Sequence, residues 1–320
     1  MKVLITGITG FVGGHLAELL LAEGGHAVCG FTHTGRWPAA LAHLSGRVQL
    51  QAADLLDFRA VEAVVREVRP DWVFHLAGFA SPRQSLKEPE ACWRLNLDGS
   101  RAVFTAVLNC GRRPRVLFTS TGLVYGDPDP GRADIDEDTA LKPKDPYTRS
   151  KATADALALE LHAAAGLDVV VARMFNTIGP RQSADYAIPN FARQVAAIER
   201  GEQPPVLKTG DLSASRDLTD VRDMVRALRL LIEAGGGGQV YNAGSGRVYQ
   251  MRQVVEMLVG IPHDLPITVE SQPATTPTTA VSRANPAKLV AATGWQPRFT
   301  LEQTLADVLD SWRTSGGRGA

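Results

Sequence analysis

The sequence is short of nearly everything that would tie it to a charged polymer or a membrane. Its 320 residues carry 34 Lys and Arg against 34 Asp and Glu. Without net charge or a basic run it lacks the electrostatic footprint of a nucleic-acid-binding protein, so no nucleic-acid partner is expected. Apolar residues make up 44% of the chain, yet no apolar run approaches the roughly 20 residues of a membrane-spanning helix, and no membrane partner is expected. Cysteine is scarce. Cys29, Cys92 and Cys110 have neither pairing nor metal spacing and read as reduced core residues, which suits a cytoplasmic protein. The seven histidines are scattered and no metal site is expected. His75, closing an apolar strand, reads as a core residue. The chain opens directly on a strand-like run, Lys2–Thr6, so no signal peptide is expected.

What the sequence does have is alternation. Lys2–Thr6, Ala27–Phe31, Val48–Ala52, Trp72–Leu76, Arg115–Thr119 and Val169–Ala172 read as strands. Helical stretches at Phe58–Val68, Glu88–Asn109 and Thr148–Ala165 lie between them. Strands alternating with helices predict an α/β fold, a doubly wound parallel sheet covered on both faces. Ligands of such sheets bind beyond the carboxyl ends of the strands, so the residues just after each strand are the ones to inspect.

The first such turn is Gly7-Ile8-Thr9-Gly10-Phe11-Val12-Gly13, followed by helical spacing at Leu16, Leu19 and Leu20. Strand, glycine turn and helix make a dinucleotide site: Gly7 for the tight turn, Gly10 for close approach of backbone to pyrophosphate, Gly13 for helix–strand packing. Thr9, Phe11 and Val12 belong to the same cofactor loop. After the second strand stand Thr32, His33 and Arg36, with no Asp or Glu to hold a ribose 2′-hydroxyl. Hydroxyls, a His and an Arg suit a 2′-phosphate, so NADP(H) is preferred, with NAD(H) possible. Asp54 and Leu55 follow the third strand, toward the adenine, and Leu76, Ala77 and Gly78 follow the fourth. Asn96 sits inside a helical stretch, where Asn is disfavoured; a polar role and a solvated helix face are the two readings.

Tyr147 and Lys151 lie four apart at the start of a helix and so share one face. A phenol has an ordinary pKa of about 10; a neighbouring ammonium favours the phenolate, so Lys151 is expected to lower the Tyr147 value toward the working range of an acid–base group. The hydroxyls of Thr119-Ser120-Thr121 follow the fifth strand and face the same pocket.

With these segments, and with Arg173–Gln182, Arg216–Asp223 and Tyr241–Gly246, the chain resembles the extended short-chain dehydrogenase/reductase family, in the branch acting on nucleotide sugars. The resemblance implies a Rossmann-type sheet domain, residues 1–174 with 213–244, and a smaller C-terminal α/β substrate domain, residues 175–212 with 245–320. It also implies a homodimer through the helices around Trp93–Asn109 and Tyr147–Ala165. It gives Thr121 the hydroxyl that holds the reacting oxygen and Tyr147 the proton transfer. Lys151 binds the nicotinamide ribose, and Thr119 lies beside the cofactor. Asn176, Arg181 and Arg216 face the sugar nucleotide, Arg216 meeting the diphosphate with a planar fork that is always charged.

Within that branch, dehydratases are expected to carry an acid and a base in the two positions after the active Thr, and decarboxylases a Glu in the first. Here those positions are Gly122 and Leu123, and neither moves a proton. The segments Phe175–Gln182, Pro189–Val195 and Gly210–Leu212 are most similar to GDP-4-dehydro-6-deoxy-mannose reductases, which implies NADPH-dependent reduction of a 4-keto sugar to GDP-rhamnose or its C4 epimer. A nucleotide-sugar 4-epimerase with tightly bound NAD is the alternative. A non-catalytic dinucleotide sensor is a remote one, because Tyr147, Lys151 and Thr121 are all present. One departure concerns the substrate: where the family carries Arg-Pro-x-x-x-Pro, this chain has Gln272-Pro273-Ala274-Thr275-Thr276-Pro277, with Arg283 as a candidate replacement cation.

Overall fold

The computed structural model describes residues 1–127, 134–261, 265–272 and 281–314. Pro273–Pro277 and the tail from Ser315 lie outside the described residues. In chain order the strands are β1 (Lys2–Thr6), β2 (Ala27–Thr32), β3 (Gln49–Ala52), β4 (Trp72–His75), β5 (Arg115–Thr121), β6 (Asp134–Ile135), β7 (Val169–Met174), β8 (Asn176–Ile178), β9 (Val206–Thr209), β10 (Ser215–Asp220), β11 (Val240–Ala243), β12 (Val248–Gln250), β13 (Thr268–Ser271) and β14 (Val281–Ala284). The helices are α1 (Phe11–Glu23), α2 (Phe58–Val68), α3 (Pro82–Ser85), α4 (Pro89–Trp93), α5 (Gly99–Asn109), α6 (Pro146–Ala165), α7 (Ala187–Glu199), α8 (Val221–Ala234), α9 (Met251–Val259), α10 (Ala287–Thr293) and α11 (Leu301–Thr314).

The main sheet has seven strands in the order β11-β7-β5-β4-β1-β2-β3, every neighbouring pair parallel. Apolar side chains alternate between its two faces. Val3 and Ile5 of β1 join Leu16, Leu20, Val225 and Leu228 of α1 and α8. Leu4, between them, joins Val61, Val65, Val103, Phe104 and Ala154 of α2, α5 and α6 on the other face. Burial on both faces is why these strands read as near-continuous apolar runs. Strand order reverses between β1 and β4, which opens a crevice at their carboxyl ends.

A further core gathers Phe191 and Val195 of α7, Val254 and Leu258 of α9, and Leu305, Leu309 and Trp312 of α11. Beside it runs a second sheet, β12-β10-β14-β6, with β8 also paired to β10. Residues 215–220 therefore belong to this second sheet, while α8, which follows at once, packs on the main one.

Three of the differences from the sequence reading bear on the site, others being shifts of one or two residues at element ends. The first helix starts at Phe11, five residues before the first apolar residue of that spacing, Leu16, because Gly10 serves as its cap. β5 continues to Thr121, because Ser120 and Thr121 stay in register with Arg173 and Met174 of β7. The stretch Glu88–Asn109 is not one α-helix: Arg94–Asp98 winds as a π-turn between α4 and α5. Such turns concentrate at functional sites, and this one carries Asn96. No described helix is long and apolar enough to cross a membrane.

Candidate active site

The glycine turn brings backbone against backbone. Gly7 has φ +71°, and a Cβ on it would stand 2.8 Å from the Ala77 nitrogen. A Cβ on Gly13 would stand 2.2 Å from the Gly7 oxygen. The Gly10 amide donates to the Gly7 carbonyl at 3.0 Å, closing the turn. A cleft of about 1200 Å³ opens here, with Gly7, Thr9, Gly10, Phe11 and Val12 along one wall. Leu76, Ala77 and Gly78 form its floor, and a Cβ on Gly78 would stand 2.6 Å from Asn96 Oδ1. A nicotinamide dinucleotide fits these residues: the α1 N-terminus offers its amides to a pyrophosphate, and side chains that would fill the cradle are missing where backbone must approach.

Thr32, His33, Asp54 and Leu55 line the far end of the cleft. His33 is exposed, its Nδ1 3.9 Å from Asp54 Oδ2. Thr32 Oγ1 accepts from the Gly35 amide at 2.9 Å. Arg36 is exposed and is not part of the lining. Asp54 does not cap the helix that follows. That role falls to Asp57, which accepts from the Arg59 and Ala60 amides.

Thr121, Tyr147 and Lys151 meet in the middle of the cleft, with Thr119 beside them. Thr121 ends β5, and its hydroxyl also accepts from the Leu123 amide at 3.2 Å. Tyr147 stands in the first turn of α6, which starts at Pro146 because Asp145 caps it through the Thr148 amide at 2.8 Å. Burial pushes the Tyr147 phenol up from its ordinary value, and a hydrogen bond with the Thr121 hydroxyl works against that shift. This corrects the sequence expectation of a lowered phenol. Lys151 donates instead to the Thr119 carbonyl at 2.6 Å and lies 4.8 Å over the Phe118 ring. Burial pulls the ammonium down to about 8, against the opposing pull of Asp155. In this geometry desolvation outweighs the effect of the cation, and Tyr147 is a neutral phenol able to give a proton to an oxygen that gains charge.

Behind the cleft floor runs a chain of hydrogen bonds that the sequence showed only as Asn96. The Ala77 amide donates to Thr6 Oγ1 at 3.0 Å, and Thr6 Oγ1 meets His75 Nδ1 at 2.8 Å. His75 Nε2 meets Ser100 Oγ at 2.9 Å, and Ser100 donates to the Asn96 carbonyl at 2.6 Å. Because Ser100 spends its proton on that carbonyl, His75 must donate from Nε2 and accept at Nδ1. His75 is fully buried, and burial holds its pKa down to about 3, so it is neutral as that tautomer requires. Asn96 Oδ1 accepts from the Phe79 amide at 2.8 Å, and its Nδ2 donates to Ser150 Oγ at 2.9 Å. Ser150 in turn donates to the Tyr147 carbonyl at 2.8 Å. The chain couples β1, β4, the π-turn and α6, and so fixes Tyr147 relative to the cofactor floor.

On the opposite wall stand Asn176 and Arg216. Asn176 Nδ2 donates to the Asp217 carbonyl at 3.2 Å. Arg216 donates to the Ser215 carbonyl at 2.9 Å, and burial lowers its pKa, with Asp127 opposing. The acids that follow Arg216 are committed elsewhere: Asp217 accepts from Ser245, Gly246 and Ala284, and Asp220 pairs with Arg222. Arg181 does not line the cleft. It makes a two-point ion pair with Glu18 of α1 at 2.8 and 2.7 Å, and its backbone φ is +70°. Arg283 pairs with Asp134 on β6 and is likewise absent from the lining. The Gln272 amide donates to the Thr209 carbonyl at 3.0 Å, which sets residue 272 beside the cleft rim at Lys208–Gly210.

A Cβ on Gly122 would stand 2.8 Å from the Phe175 ring, so a side chain there would have to displace that ring. Leu123, its neighbour, lines the cleft. Several lining residues had no local signal in the sequence. Tyr186, just before α7, donates to the Ala80 carbonyl at 3.2 Å and so bridges the two walls. Lys208 is held by Gln194, which exchanges two hydrogen bonds of 3.0 Å with its backbone. Among the described residues no cluster could hold a metal ion.

Known proteins resemble this chain in sequence and fold over nearly its whole length. The family described as GDP-mannose 4,6 dehydratase matches residues 4–308. The chain is 33% identical to GDP-6-deoxy-D-mannose reductase of Pseudomonas aeruginosa, over 98% of this chain and 97% of that protein. It is 30% identical to a UDP-glucose 4-epimerase of Corynebacterium glutamicum, over 100% of this chain and 97% of that one. The fold superposes on the structure of RMD from Pseudomonas aeruginosa complexed with NADPH at a TM-score of 0.86 and 32% identity, covering 98% of this chain and 99% of that one. It superposes on a Thermus thermophilus UDP-glucose 4-epimerase complexed with NAD at 0.85 and 29% identity, with the same coverage. The chain therefore belongs to the GDP-mannose 4,6-dehydratase family of the extended short-chain dehydrogenases/reductases, enzymes built on NAD(P).

Proposed function

We propose that this protein is a reductase that uses NADPH to reduce the 4-keto group of a nucleotide-linked 4-keto-6-deoxy sugar, turning GDP-4-dehydro-6-deoxymannose into GDP-rhamnose or its C4 epimer. The observation that carries the reading is the pair Gly122 and Leu123 beside a complete Thr121, Tyr147 and Lys151. The resemblance places the acid and base for removing water at those two positions, and neither Gly122 nor Leu123 can move a proton; a Cβ at residue 122 would also meet the Phe175 ring at 2.8 Å. Reduction needs no such pair. It needs a group that holds the carbonyl oxygen and one that protonates it.

The dinucleotide, when bound, supplies a hydride to the carbonyl carbon. The remaining work falls to the chain. Thr121 and Tyr147 donate hydrogen bonds to the keto oxygen, and Tyr147 gives its proton as that oxygen becomes an alcohol. A phenol raised by burial keeps its proton until the oxygen gains charge, which suits the acid role. Lys151 binds the nicotinamide ribose, and Gly7–Gly13 cradle the pyrophosphate. In this reading residues 1–174 with 221–244 serve the cofactor, and residues 175–220 with 245–320 serve the sugar nucleotide, the border moving from the expected 213 to 221 because Ser215–Asp220 pairs within the second sheet. The relative that superposes with NADPH, and the lack of an acid at Thr32–Arg36, favour NADPH over NADH. A 4-epimerase that keeps its cofactor is the second reading, favoured by the comparable match to UDP-glucose 4-epimerases.

The test is to mix the protein with GDP-4-keto-6-deoxymannose and NADPH, follow NADPH absorbance and identify the sugar by NMR. Stoichiometric loss of NADPH with a 6-deoxyhexose product is the expected result. No loss, with interconversion of UDP- or GDP-hexoses in the absence of reductant, would replace the reductase by the epimerase.

Gln272 bears on the substrate side. It is neutral at a position beside the cleft rim, and a hydrogen bond to a charged group is worth about 1.5–3 kcal/mol. Gln272→Arg is expected to tighten binding of the nucleotide diphosphate sugar by about tenfold or more. Unchanged or weaker affinity by calorimetry would count against a diphosphate lying within its reach.

A further inference from the structure

We propose that Leu123 selects a 6-deoxy sugar, its side chain meeting the methyl group carried by C5 of the substrate. Of the large apolar side chains left exposed among the described residues, two line the cleft, Tyr186 and Leu123. Tyr186 has a partner for its hydroxyl in the Ala80 carbonyl. Leu123 has nothing polar to offer and stays 38% exposed. The turn that carries it is pinned. Its amide donates to Thr121 Oγ1 at 3.2 Å, and its carbonyl accepts from the Gly126 amide at 3.0 Å. Gly122, Val124 and Tyr125 around it are buried. Packed neighbours thus hold one leucine out into the cleft, where only an occupant can take it out of water.

The place of the leucine says what that occupant carries. A keto oxygen that accepts from the Thr121 hydroxyl lies about 2.7–2.8 Å from it. Leu123 is joined to the same hydroxyl through its own amide, so its side chain is within reach of groups on the carbons that flank the carbonyl. In a 4-keto-6-deoxyhexose these are C3, which bears a hydroxyl, and C5, which bears a methyl. A hydroxyl pressed on leucine loses its water and finds no partner. A methyl in the same place gains by leaving water. C5 therefore faces Leu123. A hexose that keeps its 6-hydroxyl brings that group to the same side chain and binds less well. The proposal takes one thing from the reductase reading, that the sugar lies with C4 at Thr121 and Tyr147.

The experiment is calorimetry on the full chain saturated with NADPH. It compares GDP-rhamnose with GDP-mannose, which differ only by a hydroxyl on C6, and takes GDP as the reference. Neither alcohol reacts with the reduced cofactor, so binding alone is read. GDP-rhamnose is expected to bind about ten- to a hundredfold more tightly than GDP-mannose. Leu123→Ala and Leu123→Asn are expected to remove most of that preference by weakening GDP-rhamnose, with the affinities for GDP and NADPH unchanged. Leu123→Met, which keeps an apolar chain of similar size, is expected to retain it. No preference in the unchanged chain, or a preference that survives both Leu123→Ala and Leu123→Asn, overturns the proposal. So does a loss of NADPH affinity in these variants, which would set Leu123 against the cofactor instead. The reductase reading stands or falls separately. A preference that behaves as stated, in a protein that consumes no NADPH with the keto sugar, would support the role of Leu123 while sinking that reading, and reduction with an unmoved preference would do the reverse.

Discussion

Tyr147→Phe is expected to remove sugar reduction while leaving NADPH binding nearly intact. The substitution deletes one oxygen. The ring stays packed, 8% exposed at the cleft, and the hydrogen bonds that fix this turn of α6 run through its backbone and through Ser150 and Asp145, none of which is touched. What goes is the phenol that faces Thr121 in the cleft, the proposed proton donor to the keto oxygen. Loss of a general acid lowers kcat by about a hundred- to ten-thousand-fold. The signature is therefore a collapse of kcat with an unchanged NADPH dissociation constant and an unchanged melting temperature. Turnover that survives the change would remove Tyr147 from the proton-donor role. The expected pH behaviour has the same cause. Because burial raises the phenol, its proton is in place through the neutral range, and loss of activity at high pH is expected to follow Lys151, at about 8, before it follows Tyr147.

Gly13→Ala has the second large effect, by steric means. Its Cβ would lie 2.2 Å from the Gly7 oxygen and 2.7 Å from Ile8 Cα. Both contacts are backbone, so no side chain can turn aside. Either α1 lifts from β1 or the glycine turn opens, and each spoils the amide cradle. Overpacking of this kind costs about 1–3 kcal/mol or more of stability, and cofactor affinity is expected to fall by at least about a hundredfold, some 2.7 kcal/mol. Gly10→Ala supplies the contrast: its Cβ meets only the Gly7 oxygen, at 3.2 Å, so the protein should fold with little change in melting temperature. Thermal melts and fluorescence titrations of both variants make the comparison. Equal behaviour of the two would mean that helix–strand contact at Gly13 does not support the site.

The parts of the molecule that were legible in sequence are those whose chemistry is local. The apolar runs of β1, β4, β5 and β7 are buried on both faces, so each is recognisable from its own residues. The glycine turn is recognisable because its backbone geometry excludes side chains at Gly7 and Gly13. The spacing of Tyr147 and Lys151 is a property of any helix. Leu301, Leu305, Val308 and Leu309 recur at helical spacing, and all four are buried on α11. Gly122 and Leu123, set against the family resemblance, speak against dehydration, although the contact of residue 122 with the Phe175 ring is not visible in sequence.

The rest depended on neighbours distant in sequence. Arg181 has the right chemistry for a phosphate and the wrong surroundings, because Glu18, 163 residues away, takes both ends of its fork. Lys151 has the spacing to acidify Tyr147, but the Thr119 carbonyl claims its proton, and burial decides the phenol's value. Tyr186 enters the cleft only because α7 is set against the loop after β4. Residue types and their local periods thus specify the sheet, the cofactor turn and the reacting pair, since these follow from short-range geometry. Which charges are free to act, and which way a pKa moves, is decided by folding, because desolvation and ion pairing depend on what the chain brings together across its whole length.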